Sequence, residues 1–134
     1  MIAAYPLTAL VVVLSLFVYI WAALAVGKAR GKYNIHAPLV DGPPEFQRVF
    51  RAHMNTLEQL VFFLPSLVLF ASAWGDLAAA IVGVFWPVGR LLYVLGYFKA
   101  PEKRSAGFGI SFLSSVILVL GALVAIARQL TENL

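Results

Sequence analysis

The sequence contains no cysteine. This absence excludes disulfide bonds, thiolate metal ligands and a thiol nucleophile supplied by the protein, so any sulfur chemistry needs a ligand that brings the sulfur. Histidine is scarce as well, since only His36 and His53 occur, in no spacing that is typical of metal ligands. We therefore expect no metal site.

The sequence also contains few charged residues. Charged residues make up 12% of the chain and hydrophobic residues 62%, whereas a soluble domain has about 25% and about 45–50% respectively. A soluble fold could not cover so much apolar surface, so the solvent of this protein is lipid. The net charge of +4 does not predict a nucleic-acid partner, because most of the basic residues lie in short segments at the ends of apolar runs.

Four apolar stretches fill most of the chain, and they predict four membrane-spanning helices. Each stretch is close to the ~20 residues that cross ~30 Å of hydrocarbon, and lipid demands backbone groups that are satisfied within the segment. Pro65 and Pro87 are expected to kink their helices. The sequence thus predicts one domain over residues 1–134, an all-α four-transmembrane-helix bundle with helices at roughly 5–27, 45–73, 77–98 and 106–129.

Basic residues follow the first and third apolar stretches. By the positive-inside rule, both basic loops are expected in the cytoplasm and both termini on the opposite side, in a bacterial inner membrane or the endoplasmic reticulum. No Lys or Arg precedes the first apolar run, which favours a retained helix over a cleaved secretory signal. The residues of the basic loops are Lys28, Arg30 and Lys32, then Lys99, Lys103 and Arg104.

A polar stripe marks the start of the second helix. At 100° per residue, its members fall within an arc of about 80°, and they are Arg48, Arg51, Asn55 and Glu58. Ionised side chains in a membrane are costly and usually face protein or water. Two cations, an amide and a carboxylate on one face therefore indicate a polar pocket.

The third helix carries a matching stripe at its basic end. Arg90, Tyr93 and Tyr97 share one face, and Arg104 and Ser105 lie just beyond. Arginines suit carboxylates and a carboxylate suits an ammonium group, so a pocket shared by both stripes would fit glutathione. A phospholipid headgroup or another anionic amphiphile would satisfy part of the same pattern.

Other interpretations of these residues stay open at this point. Arg48 and Arg51 could reach anionic headgroups, and Glu58 could pair with Arg51 or Arg90. The two tyrosines could belong to an interfacial belt, where aromatic rings are enriched at both membrane surfaces.

Two motifs add a family resemblance that covers essentially the whole chain. The segment RAHMNTLE at residues 51–58, and VGRLLYVLGY at 88–97 followed by PEKRS at 101–105, resemble the second and third helices of the MAPEG family. That name covers membrane-associated proteins in eicosanoid and glutathione metabolism. The resemblance implies a homotrimer among lipids, with glutathione held between neighbouring subunits near the cytoplasmic side.

The resemblance also implies roles for individual residues. Arg104 would stabilise the glutathione thiolate as the catalytic residue, with Tyr97 as a secondary donor. Glutathione, the co-substrate, would be conjugated to hydrophobic electrophiles, and lipid hydroperoxides would be reduced in a second reaction. The residues implied for binding are Arg30, Arg48, Arg51, Asn55, Glu58, Arg90, Tyr93, Tyr97 and Ser105.

Departures from the family pattern bear on the substrate. Gln59 and Tyr93 stand where two specialised eicosanoid synthases of the family carry a tyrosine and a histidine, so a broad glutathione transferase is the better expectation. One alternative is a non-catalytic membrane protein that binds lipid or glutathione. Another is a small proton-coupled exporter that uses Glu58, although the surrounding arginines argue against a lone carboxylate carrier.

Overall fold

A computed structural model describes residues 1–134, and all of its secondary structure is helical. Helices α3 and α4 together form one span, so four segments are long and apolar enough to cross a membrane. The predicted all-α, four-span architecture of an integral multi-pass membrane protein is thereby confirmed. The helices are α1 (Pro6–Tyr33), α2 (Pro44–Trp74), α3 (Asp76–Gly83), α4 (Phe85–Lys99) and α5 (Ser105–Glu132), with a 3₁₀ turn at Pro101–Arg104 before α5.

The first helix is longer than its apolar part. The sequence predicted an end near residue 27, but α1 continues through the basic segment to Tyr33. It ends where Asn34 adopts the left-handed conformation at φ 59° and donates its backbone N–H to the carbonyl of Arg30. Hydropathy measures only the lipid-embedded part of a helix, while the cations in the last turn favour its continuation through the helix dipole.

The third span is interrupted, although the sequence predicted one helix over residues 77–98. The interruption lies at Val84, between α3 and α4. Pro87 explains its position, because a proline has no N–H to donate to the carbonyl four residues earlier, here that of Gly83. Pro65, by contrast, lies within a continuous α2.

The core of the bundle is aromatic and aliphatic. The rings of Phe63 on α2 and Trp86 on α4 stack with centroids 4.7 Å apart, and both side chains are fully buried. Leu67 and Leu118 pack in the same cluster, to which α1 contributes Val11. Most other large apolar side chains are exposed on the surface, as expected where lipid covers the protein.

A carboxylate at the start of the third span caps the start of the first span. Asp76, at the start of α3, accepts hydrogen bonds from the backbone N–H of Leu7 at 3.0 Å and of Thr8 at 2.7 Å. These are two of the donors that the first turn of α1 leaves without helical partners. The α2–α3 turn therefore lies beside the beginning of α1, at the end of the bundle away from the basic segments.

Helices α4 and α5 approach each other through glycine. A Cβ added to Gly107 would lie 2.6 Å from the carbonyl oxygen of Gly89 and closer still to the backbone nitrogen of Tyr93. Only a residue without a side chain fits this contact. It fixes the start of α5, and with it the turn that carries Arg104, against the polar stripe of α4.

Candidate functional site

Three elements bring polar side chains together at the basic end of the bundle. Helix α2 contributes Arg51, Asn55 and Glu58, which share a face because their spacing of three and four residues matches the helical repeat. The amide nitrogen of Asn55 donates to a Glu58 carboxylate oxygen at 3.5 Å, the long end of the hydrogen-bond range. Glu58 makes no ion pair with Arg51 or Arg90 in the chain, so its carboxylate keeps most of its capacity for a ligand.

The aromatic side of the site comes from α4. Tyr93 and Tyr97 meet edge to face with ring centroids 5.6 Å apart. Tyr93 is only 3% exposed, which rules out the interpretation that it belongs to an interfacial belt. Its ring is a wall of the site, and Tyr97 is half-buried above it.

Arg104 reaches the same place from the 3₁₀ turn. Its guanidinium lies 5.1 Å from the centroid of the Tyr97 ring, and one terminal nitrogen donates to the Pro101 carbonyl at 2.6 Å. These contacts hold the cation over the aromatic side of the site, while the residue itself stays exposed. Several of its N–H donors therefore remain available.

A pocket of about 230 Å³ lies between these groups. Two cations and one carboxylate line it, so it is electropositive. Met54 is the lining residue that sequence reasoning missed, because an apolar side chain carries no chemical signal until its neighbours are known. The full lining is Arg51, Met54, Asn55, Glu58, Tyr93, Tyr97 and Arg104.

Arg90 lies behind the pocket and does not line it. It is fully buried, and one terminal nitrogen donates to the Asn55 amide oxygen at 3.0 Å and to the Thr56 hydroxyl at 3.1 Å. Its guanidinium also lies 3.8 Å from the centroid of the Tyr93 ring. A buried cation held only by neutral groups is costly, and its charge adds to the positive potential of the adjacent pocket.

Besides Arg90, three more of the predicted site residues lie outside the pocket in the single chain. Arg30 donates to the carbonyl of Leu39 at 2.6 Å, in the loop after α1. Arg48 donates to the carbonyl of Phe98 at 3.4 Å. The hydroxyl of Ser105 donates to the backbone carbonyl of Glu102 at 3.2 Å. Each of them thus holds a backbone carbonyl near the basic end.

The pocket offers a specific set of chemical groups. Guanidinium groups can hold carboxylates and stabilise a nearby anion, the Glu58 carboxylate can hold an ammonium group, and the Asn55 amide and tyrosine hydroxyls can orient polar atoms. No group of three or more His, Asp or Glu side chains is arranged to hold a metal ion. The arrangement suits a zwitterionic ligand with an excess of negative charge.

Comparison with known proteins identifies relatives that match most of the chain. Residues 8–124 match the model of the MAPEG family. An uncharacterised protein of Synechocystis sp. is 48% identical over 92% of this chain and 90% of that protein. Microsomal glutathione S-transferase 2 of Homo sapiens is 40% identical over 87% of this chain and 80% of that protein. Leukotriene C4 synthase of Rattus norvegicus is 37% identical over 73% of this chain and 65% of that protein.

Proposed function

This chain belongs to the MAPEG family, and from that premise we propose that it is a membrane-bound glutathione transferase. It would bind glutathione, stabilise its thiolate and conjugate it to hydrophobic electrophiles dissolved in the bilayer. The observation that carries the proposal is the convergence of Arg51, Asn55 and Glu58 with Tyr93, Tyr97 and Arg104 around one pocket.

The charges of the pocket support glutathione as the ligand. Glutathione carries two carboxylates and one ammonium group, so it has a net negative charge before its thiol ionises. In our proposal Arg51 binds a carboxylate, Glu58 binds the ammonium group and Asn55 orients the peptide. Arg90 contributes from behind through its contacts with Asn55 and Tyr93.

Arg104 is the proposed catalytic residue. A free thiol has a pKa near ~8.5, and the thiolate is the nucleophile. Lowering that pKa to ~6.5 requires about 2.7 kcal/mol, which a charge-assisted contact in a partly dry site can supply. Tyr97, beneath the guanidinium, is the proposed secondary donor. The thiolate sulfur would then bond to the electrophilic carbon, where it either displaces a leaving group that departs with its bonding electrons or adds to an activated double bond that then takes up a proton from water. In the second reaction the thiolate would attack the outer oxygen of a lipid hydroperoxide and break the O–O bond, giving glutathione sulfenic acid and an alkoxide that is protonated to the alcohol. A second glutathione would convert the sulfenic acid to glutathione disulfide and water.

We propose a homotrimer with shared sites, as the family resemblance implies. At about 230 Å³ the pocket is smaller than the ~300–1,000 Å³ of ordinary ligand sites, so a neighbouring subunit would complete it. We propose that Arg30, Arg48 and Ser105 line the completed site. Native mass spectrometry in detergent should then give the mass of three 14.6 kDa chains.

The orientation in the membrane is also part of the proposal. Both basic segments lie at one end of the bundle, and the positive-inside rule would place that end in the cytoplasm with the termini opposite. Glutathione would then enter from the cytoplasmic side and the electrophile from the bilayer. Single cysteines introduced at each end, labelled from one side of intact cells, would test this orientation.

The decisive experiment follows glutathione binding by the purified protein and the ultraviolet absorbance of the thiolate. Wild type is expected to bind glutathione with a thiolate signal, and Arg104→Ala to bind it without one. Lys103→Ala is the matched control, because Lys103 is the neighbouring exposed cation and lies outside the pocket. Binding without a thiolate signal in wild type would favour a non-catalytic binding protein, and absence of binding at millimolar glutathione would refute both.

A further inference from the structure

A long groove follows α1 outside the candidate glutathione site. Two adjoining cavities, of about 430 Å³ and about 320 Å³, share Trp21 as a lining residue. The smaller one lies between α1 and the α3–α4 span, with Leu14 at its far end. The larger one continues toward the basic end, where Lys28 and Lys32 line it. None of the residues around the glutathione pocket lines either cavity.

The dimensions of the groove match one leaflet of a bilayer. Leu14 lies near the middle of the apolar part of α1, and Lys28 follows it by a helical rise of about 21 Å. Half the thickness of a bilayer, headgroups included, is about 20–22 Å. Lys28 therefore lies at the headgroup level when Leu14 lies at the bilayer centre, and Lys32 lies one helical turn, about 6 Å, beyond it. The groove from Leu14 to Lys28 has the length of one leaflet, headgroup included.

The chemistry of the groove changes along its length. Toward the bilayer centre its lining is almost entirely apolar, and Trp21 and Phe98 narrow it with ring centroids 5.9 Å apart. At the other end two ammonium groups stand one helical turn apart, and no carboxylate is among the lining residues. Lys32 lies with its ammonium nitrogen 5.3 Å from the centroid of the Tyr33 ring, which keeps it beside the groove.

We propose that this groove is a binding site for one acidic phospholipid. Its acyl chain would lie along α1 past Trp21, and its phosphate would lie between Lys28 and Lys32. Lysine binds phosphate as a point charge, and anionic lipids attract basic residues at a membrane surface. The complementary charge at headgroup depth selects an acidic over a zwitterionic lipid, because a choline headgroup would bring its own cation between the lysines.

The test uses Trp21 as a reporter of the acyl chain. The full-length protein is reconstituted in phosphatidylcholine vesicles that contain a small fraction of either brominated phosphatidylglycerol or brominated phosphatidylcholine, whose bromines quench tryptophan on contact. Wild type should be quenched at a mole fraction of phosphatidylglycerol on the order of tenfold lower than that of phosphatidylcholine. Trp21→Phe should remove this preference, because Trp74 and Trp86 lie outside the groove.

Two double variants separate the site from general attraction to the surface. Lys28→Gln with Lys32→Gln should abolish the preference for phosphatidylglycerol. Lys99→Gln with Lys103→Gln removes two cations from the same end of the bundle but outside the groove, and should retain it. Preference that survives the first double variant would overturn the proposal.

The wild-type measurement tests the proposal without any variant. Equal quenching by both lipids would show that the groove does not select acidic phospholipid. Protection of Trp21 from both lipids would mean that a second copy of the chain covers the groove. A brominated fatty acid that quenches Trp21 more strongly than phosphatidylglycerol would assign the groove to a carboxylate amphiphile. Each of these three results would overturn the proposal, and none depends on glutathione binding.

Discussion

Replacing Gly107 by alanine should disturb the site from a distance, because Gly107 sets the contact between α4 and α5. The added Cβ would lie 2.6 Å from the Gly89 carbonyl oxygen and from the Tyr93 Cα. Ordinary van der Waals contact begins at 3.4 Å, so the two backbones must separate by at least about 0.8 Å, and by more at the Tyr93 nitrogen, which lies closer still. Neither neighbour is a flexible side chain that could move aside.

The free-energy cost of the added Cβ at Gly107 can be isolated with a matched control variant two residues away. A Cβ at Gly109 would meet nothing within 4 Å. Alanine should favour the helix by about 1 kcal/mol at either position, so the difference between the two variants reports the overpacking alone. Overpacking costs about 1–3 kcal/mol, and Gly107→Ala should denature at a lower temperature than Gly109→Ala by that difference.

The same displacement should reach the chemistry. Arg104 precedes Gly107 by one helical turn, and Tyr93 is itself the contacting residue. A misplacement of about 1 Å can cost on the order of 10²-fold in rate, so Gly107→Ala should lose between about tenfold and a hundredfold of the glutathione transfer rate, with the thiolate absorbance reduced in parallel. If both variants matched wild type in stability and thiolate signal, the α4–α5 contact would not position Arg104.

Three further predictions address other parts of the structure. Arg90→Met should weaken glutathione binding by roughly 10–100-fold in calorimetry, because Asn55 loses a charge-assisted hydrogen bond. The control variant Arg128→Met, at an exposed position on α5, should bind glutathione as wild type does. Glu58→Gln should weaken glutathione binding by about tenfold or more but leave a des-amino glutathione analogue unaffected, and an equal loss for both ligands would contradict the ammonium assignment. Asp76→Asn should destabilise the protein by about 0.5–2 kcal/mol in thermal denaturation, because a charged cap of α1 is lost; Glu132→Gln, an exposed acid near the other terminus, should not.

Hydropathy and periodicity predicted the four spans well, because lipid forces apolar residues into runs of nearly fixed length. They could not locate the end of α1, where the helix continues beyond the lipid-embedded part to Tyr33. Predicting the interruption at Val84 would have required knowing whether the bundle tolerates the loss of the hydrogen bond that Pro87 cannot donate. Pro65 poses the same local problem in α2 and leaves that helix continuous.

Sequence reasoning found the face of each site helix but not the depth of each residue on it. Arg90, Tyr93 and Tyr97 share one side of α4, yet Arg90 is buried behind Asn55 and only the two tyrosines line the pocket. Periodicity gives an angle around the helix axis, whereas depth depends on which neighbour crosses there. The cap that Asp76 provides was unpredictable for the same reason, since Asp76 is 69 positions from Leu7 and 68 positions from Thr8 in the sequence.

The cap by Asp76 has a consequence for how the protein is made. The N–H groups of Leu7 and Thr8 are synthesised first, but their carboxylate partner leaves the ribosome only after the whole second span. Until then the start of α1 must rely on water or lipid headgroups for its hydrogen bonds. The first hairpin is therefore made before the capping group of α1 exists, and the third span supplies that group to the N-terminal end of α1.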